Sequence, residues 1–232
     1  PNGKIVEDVL LKENGLFNYL QEGQIICDLS SINPKEVIFI NKTLFQKKVF
    51  FLDSPVSGGE SKALEGTLSM MVGGDAESFE VVKPLLLKMG SSAVLIGKSG
   101  SGSIAKLTNQ IIVNMNIATV AEAFVLAMKS GLNVANVFQA IRGGTAGSNV
   151  LETKFPMMLE RNFEPGGKIS INRKDIGNVI EWAHSIDCPV PFTASLYEIF
   201  QSLKVAGQMD EDHSSIVKYF EKLADVEVSK NI

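Results

Sequence analysis

The sequence predicts two layers in succession, an α/β layer with a parallel sheet and then an all-α layer. Three observations carry this. Before Gly97, short apolar runs bounded by turn residues alternate with stretches of helical period. After Gly97 no convincing strand pattern appears. Between the two regimes an almost wholly apolar helical stretch opens near Gly100 and stops at Gly131. The boundary is set at residues 98/99, giving regions 1–98 and 99–232, with the long helix linking them.

Taken in order, residues 4–10 have helical spacing, and Asn14-Gly15 marks a turn. Residues 24–28 read as a buried strand. Asn33-Pro34 opens a helix to about Lys47, with proline at its first position. Val49–Asp53 is a second strand, stopped by Ser54-Pro55. Val56-Ser57-Gly58-Gly59 is a glycine turn into a short helix near Glu60–Leu64. Thr67–Gly73 is a third strand, Asp75 caps a helix over 76–89, and Ala93–Gly97 is the last strand. The long helix is given Ser103 as its N-cap and runs to Ser130. Beyond it, helices are expected over 133–141, over 148–159 with a break at Pro156, over 170–186, from Pro189 and Pro191 to about Gly207, and over 214–224 behind Asp212.

Composition excludes several classes. The 232 residues are 45% hydrophobic with a net charge of −4, enough for a proper core and unlike a nucleic-acid footprint or a basic membrane patch. No uninterrupted apolar run approaches the length of a membrane span, and no signal peptide is visible. Cys27 and Cys188 lie far apart without metal-ligand spacing, which points to a reducing, cytoplasmic setting and no metal site.

Candidate chemistry concentrates at one helix start. Lys106 shares a face with Asn109 and Gln110 at i+3 and i+4, polar groups in an otherwise apolar helix. A surface lysine with its ammonium in water is the plainer alternative. Loops at the carboxyl ends of strands, Leu29–Ser31 and Pro55–Gly59, stand where open α/β sheets bind ligands, and the amides of a Ser-Gly-Gly turn can cradle an anion. They could equally be ordinary turns. Lys174-Asp175 reads first as a solvated pair. Asp212-His213-Ser214 is a triad in letters only, because adjacency does not give triad geometry.

Three runs together, Asp28-Leu-Ser-Ser31, Asp53-Ser-Pro-Val-Ser-Gly-Gly59 and Gly100-x-Gly102-x-x-x-Lys106-Leu-x-Asn109-Gln110, resemble the β-hydroxyacid dehydrogenase family. The likeness extends along the chain through Gly66–Asp75, Gln139–Gly144, Arg161–Phe163, Lys174-Asp175 and Asp212–Ser214. The resemblance implies the later part of a Rossmann-type domain over 1–98 and a helical domain over 99–232. It implies NAD(H) or NADP(H) as cofactor, a small oxo-acid or hydroxy-acid as substrate, and a homodimer or homotetramer. It also implies roles: Lys106 as catalytic acid/base, Ser57, Gly58, Gly59, Asn109 and Gln110 as substrate contacts, and Ser31 and Lys174 on the cofactor side. Many relatives have Asn where this chain has Gln110. The family's opening strand and Gly-x-Gly-x-x-Gly are absent from this sequence, so the chain is expected to start inside the Rossmann domain. A binding protein that kept the fold without the chemistry is the alternative of another class, and the presence of Lys106 argues against it.

Overall fold

The structure, a computed structural model, describes residues 1–229. It begins with helix α1 (Gly3–Leu11), whose cap is Asn2, followed by a 3-10 turn at Leu16–Tyr19. Strand β1 (Ile25–Asp28) leads to α2 (Pro34–Phe45). There Asn33 and Glu36 form a reciprocal capping box behind Pro34. Next come β2 (Phe50–Asp53), the two-residue strand β3 (Val56–Ser57), α3 (Gly59–Leu64), β4 (Leu68–Gly73), α4 (Ala76–Met89) and β5 (Gly90–Gly97). Asp75 caps α4 by accepting from the Ser78 amide.

The strand order is β1-β2-β4-β3, with β5 also paired to β4. The pairs β1·β2 and β4·β5 are parallel. The expectation of an all-parallel sheet fails at β4, which runs antiparallel to β2 and to β3. β3 follows β2 after only Ser54-Pro55, and the chain then folds back through α3. Successive β2 residues enter different cores because side chains alternate across a strand. Phe51 packs with Val6, Leu10, Val37, Ile40 and Leu44, whereas Leu52 packs with Met70, Val72, Phe79 and Leu86.

The rest is helical: α5 (Ser101–Lys129), α6 (Val134–Ile141), α7 (Asn149–Glu160), α8 (Ile169–Ser185), α9 (Pro191–Val205), a 3-10 turn at His213–Ile216, and α10 (Val217–Ala224). Helix α7 runs unbroken through Pro156. The lost amide is outweighed by burial of Leu151, Phe155 and Met158, and the Phe155 ring stacks on Phe124. Helix α5 already starts at Ser101, so Ser103 lies inside its first turn and is not its cap. By length and composition alone α5 could cross a membrane, although Asn109, Gln110, Asn114 and Asn116 interrupt its apolar run. Its Ile117, Ala121, Phe124, Val125 and Met128 are core residues of the helical part.

The chain forms two compact units, Pro1–Asn109 with Glu181–Cys188, and Gln110–Ile180 with Pro189–Ile232. The division falls within α5, whereas the sequence set its boundary at 98/99.

Candidate functional site

In the first unit the substrate-loop candidates sit directly after β2. Pro55 is buried, Ser57 is half-buried, and Gly58 and Gly59 are exposed at the start of α3. Both glycines have positive φ, 141° and 69°, so this turn demands residues without a Cβ. Its position is set by pairing of Val56 with Met70 and of Ser57 with Ser69.

The start of α5 is fixed by a residue that the sequence reading did not single out. Asp53, at the end of β2, is 1% exposed. Its Oδ1 accepts from the Gly100 N–H at 2.8 Å and its Oδ2 from the Ser103 N–H at 2.7 Å. First-turn amides of a helix have no intrahelical partners, so this remote carboxylate does the work of a cap. Burial pushes the Asp53 carboxyl above its ordinary value, against the pull of the two amides. The helix comes very close to the sheet here. A Cβ on Gly102 would lie 2.3 Å from the Met71 carbonyl oxygen and 2.4 Å from that of Asp53, which explains the glycine in the motif.

One turn beyond Ser103, Lys106 is half-buried, and Asn109 follows on the same face. The Ser57 hydroxyl donates to Asn109 Oδ1 at 3.4 Å. The structure therefore brings together the loop and the helix face that the sequence placed 52 residues apart. At the end of β1, Asp28 Oδ1 accepts from the amide and hydroxyl of Ser30, beside the half-buried Ser31. Asp28 Oδ2 is buried without a hydrogen-bond partner, an acceptor suited to a hydroxyl or amide donor. A nucleotide's ribose or carboxamide supplies such donors, so this strand end fits the expected cofactor.

In the second unit, Gln110 is buried and its Nε2 donates to Asp175 Oδ2 at 2.7 Å and to Asn172 Oδ1 at 3.4 Å. Lys174 is ion-paired with Asp175 at 3.0 Å, and the Asp175 side chain is 2% exposed, so this is no solvated surface pair. Gln110 and Lys174 are thus joined through Asp175, whose bond to Gln110 was not expected from sequence. The only sequence hint of it is its place beside Lys174. Asp212 is fully buried, accepting from Lys154 and from the amides of Gly166, Gly167 and Ser214. His213 Nε2 lies 4.0 Å from Asp212 Oδ1, and the Ser214 hydroxyl is buried without a partner, so these residues do not form a triad. Burial and the Lys154 charge lower the His213 pKa to about 4. Among the described residues no His/Cys/Asp/Glu group could hold a metal ion.

Comparison with known proteins identifies the family. Residues 100–220 match the family profile described as the NAD-binding domain of NADP-dependent 3-hydroxyisobutyrate dehydrogenase. Residues 1–97 match the NAD-binding domain of 6-phosphogluconate dehydrogenase. The chain is 41% identical to 2-hydroxy-3-oxopropionate reductase of Escherichia coli, over 97% of this chain and 77% of the relative. It is 32% identical to 2-(hydroxymethyl)glutarate dehydrogenase of Eubacterium barkeri, over 99% of this chain and 76% of that one. A crystal structure of 3-hydroxyisobutyrate dehydrogenase from Salmonella typhimurium superposes with a TM-score of 0.85 at 27% identity, covering 94% of this chain and 76% of that one. With both halves matching NAD-binding profiles and the fold shared with a solved dehydrogenase, the chain belongs to the 3-hydroxyisobutyrate dehydrogenase-like family of NAD(P)-dependent oxidoreductases.

Proposed function

We propose that this chain reduces the aldehyde of tartronate semialdehyde (2-hydroxy-3-oxopropanoate) to give D-glycerate, with Lys106 as general acid. The observation that carries the reading is the Ser57–Asn109 hydrogen bond, which sets the Ser-Gly-Gly turn against the helix face bearing Lys106. The 41% identity to a reductase named for this substrate supports it. When bound, NADH or NADPH supplies a hydride to the aldehyde carbon. As that bond forms, the carbonyl π pair moves to oxygen, and Lys106 Nζ gives it a proton to complete the alcohol. The ammonium also stabilises the negative charge that develops on oxygen. In the oxidative direction the neutral amine takes the proton back. The Ser57 hydroxyl and the Gly58 and Gly59 amides hold the substrate carboxylate, and Asn109 orients the reacting end. Ser31 and Asp28 serve the cofactor side in the first unit. In the second, Lys174 is the cofactor-side cation, held by Asp175, which Gln110 anchors in turn.

A substrate panel tests this in the full-length enzyme, with NADH and NADPH each supplied. The expected result is that kcat/KM for tartronate semialdehyde exceeds that for succinic semialdehyde and for 3-hydroxyisobutyrate oxidation by at least ~10-fold. Preference for either of the others reassigns the substrate within the class. Cofactor binding without turnover of any substrate makes the chain a binding protein and overturns the reading.

The proposal includes a homodimer or homotetramer, supported by exposed Ile104, Ile112 and Leu126 along α5 and checked by light scattering. It includes a cytoplasmic setting, which the free thiol of Cys27 fits.

A further inference from the structure

Lys106 can act only if its ammonium is held at a defined height and direction against the substrate loop, and the structure shows what sets both. The first turn of α5 has two kinds of tether. One is local, with the Ser101 amide on the Lys98 carbonyl at 2.9 Å and the Ile104 amide on the Gly100 carbonyl at 3.0 Å. The other reaches across the fold to the Asp53 carboxylate, from Gly100 and Ser103. Local bonds shape a helical turn but do not say where the turn sits on the sheet. The Asp53 bonds do, because Asp53 ends β2 and pairs in the ladder with Asp28 of β1 and Gly73 of β4. Ser103 lies three residues before Lys106, one turn below it on the same face. Four residues past Asp53 in the other direction stands Ser57. One side chain therefore joins the strand that leads into the substrate loop to the helical turn that carries the proton donor.

We propose that Asp53 is a positioning residue for the reaction: its carboxylate locks the first turn of α5 and so aims Lys106 at the substrate held by the Ser57–Gly59 loop. The proposal rests on the reading of Lys106 as proton donor. It predicts an effect on turnover that binding does not share. The substrate loop has its own anchorage, the pairing of β3 with β4, which does not involve the Asp53 side chain. Loss of the carboxylate should thus release the lysine and leave the loop in place. Asparagine at this position keeps the shape but can accept through one atom only. Its amide group would face an N–H donor, so one of the two tethers is lost.

The test is a double-mutant cycle in the full-length enzyme, with kcat counted per cofactor-binding site and with KM, cofactor affinity and Tm measured alongside. The variants are Asp53→Asn, Lys106→Ala and the pair. Misplacing a catalytic group by about 1 Å costs on the order of 10²-fold, so Asp53→Asn is expected to lower kcat by about 10- to 100-fold with KM changed less than about 3-fold. In the Lys106→Ala background it should lower kcat by less than about 2-fold, because the residue through which it acts is gone. A merely structural aspartate would reduce both backgrounds by the same factor, and that result overturns the proposal. So does normal turnover in folded Asp53→Asn when Lys106→Ala is impaired. Normal turnover in Lys106→Ala sinks the reading of the lysine itself, whatever Asp53 does. If Asp53→Asn does not fold, Asp53→Glu keeps both acceptor oxygens but moves them by one methylene from the Gly100 and Ser103 amides, and the same cycle decides.

Discussion

Asp53 in the first unit and Asp212 in the second are both fully buried, and both accept backbone N–H groups at the start of a helical segment. Their partners differ. Asp212 also receives the Lys154 ammonium at 3.0 Å on each oxygen, along with the Gly166 and Gly167 amides. Asp53 has its two amides and, among the described residues, no ion pair. The titration of the two carboxyls parts accordingly. Burial pushes Asp53 up. Burial also pushes Asp212 up, but His213, the Ser214 amide and Lys154 outweigh it and hold it below the usual range. The cation fixes Asp212 as a structural anchor for the Gly166–Gly167 loop. Asp53 accepts from Gly100, the residue just before the helix that bears Lys106, and from Ser103 within it, so changes to it reach that helix first. A buried carboxylate thus serves scaffold or site according to what its donors are attached to.

This contrast can be broken from the Asp212 side most forcefully. Lys154→Met leaves a buried carboxylate without its cation, and should cost about 3 to 5 kcal/mol in a denaturant titration. A loss below about 1 kcal/mol would mean that the three amides alone suffice. Next is acid sensitivity. His213 is neutral in the fold, with its pKa lowered from 6.5 to about 4. The unfolded chain takes up the proton first as pH falls, so stability present above pH 6.5 is lost on descent through about 4. The expected loss is up to about 3 kcal/mol, and His213→Leu should flatten it. A flat profile for the wild type over this window would contradict the burial of a neutral imidazole.

On the Asp53 side, Gly102→Ala puts a Cβ against two backbone oxygens and should cost about 1 to 3 kcal/mol, read as a lower denaturation midpoint. The smallest effect sharpens the comparison most. A carboxyl raised in the fold stabilises below its ordinary 3.8, and that contribution fades as pH rises through the raised value. A lowered one stabilises above 3.8 and loses its contribution as pH falls through the lowered value. The destabilisation caused by Asp53→Asn should therefore shrink with rising pH, while that of Asp212→Asn grows. Slopes of the same sign would show that the two carboxylates are alike.

Much of this was legible in the sequence because local signals carried it. Asn33-Pro34 and Asp75 announce helix starts, and the spacing of Lys106 and Asn109 puts them on one face. What escaped was set by partners far along the chain. The bonds to Asp53 span 47 and 50 residues, and that between Gln110 and Asp175 spans 65. Hydrophobic period reports which face is buried, not which neighbour it meets. The same limit hid the reversed direction of β4, where an apolar run reads alike in either orientation, and the unbroken α7, where packing of Phe155 overrides Pro156.

The most direct measurement is the turnover of Lys106→Ala in the full-length enzyme, with cofactor affinity and Tm alongside. Removal of a general acid should lower kcat by at least ~10²-fold, and loss of the charge that steadies the alkoxide should add to this. Cofactor affinity and Tm should stay near wild type. Lys106→Arg should rescue poorly, since a guanidinium holds its proton too tightly and presents a different shape. Near-normal turnover by a folded Lys106→Ala protein would contradict the assignment of the proton donor.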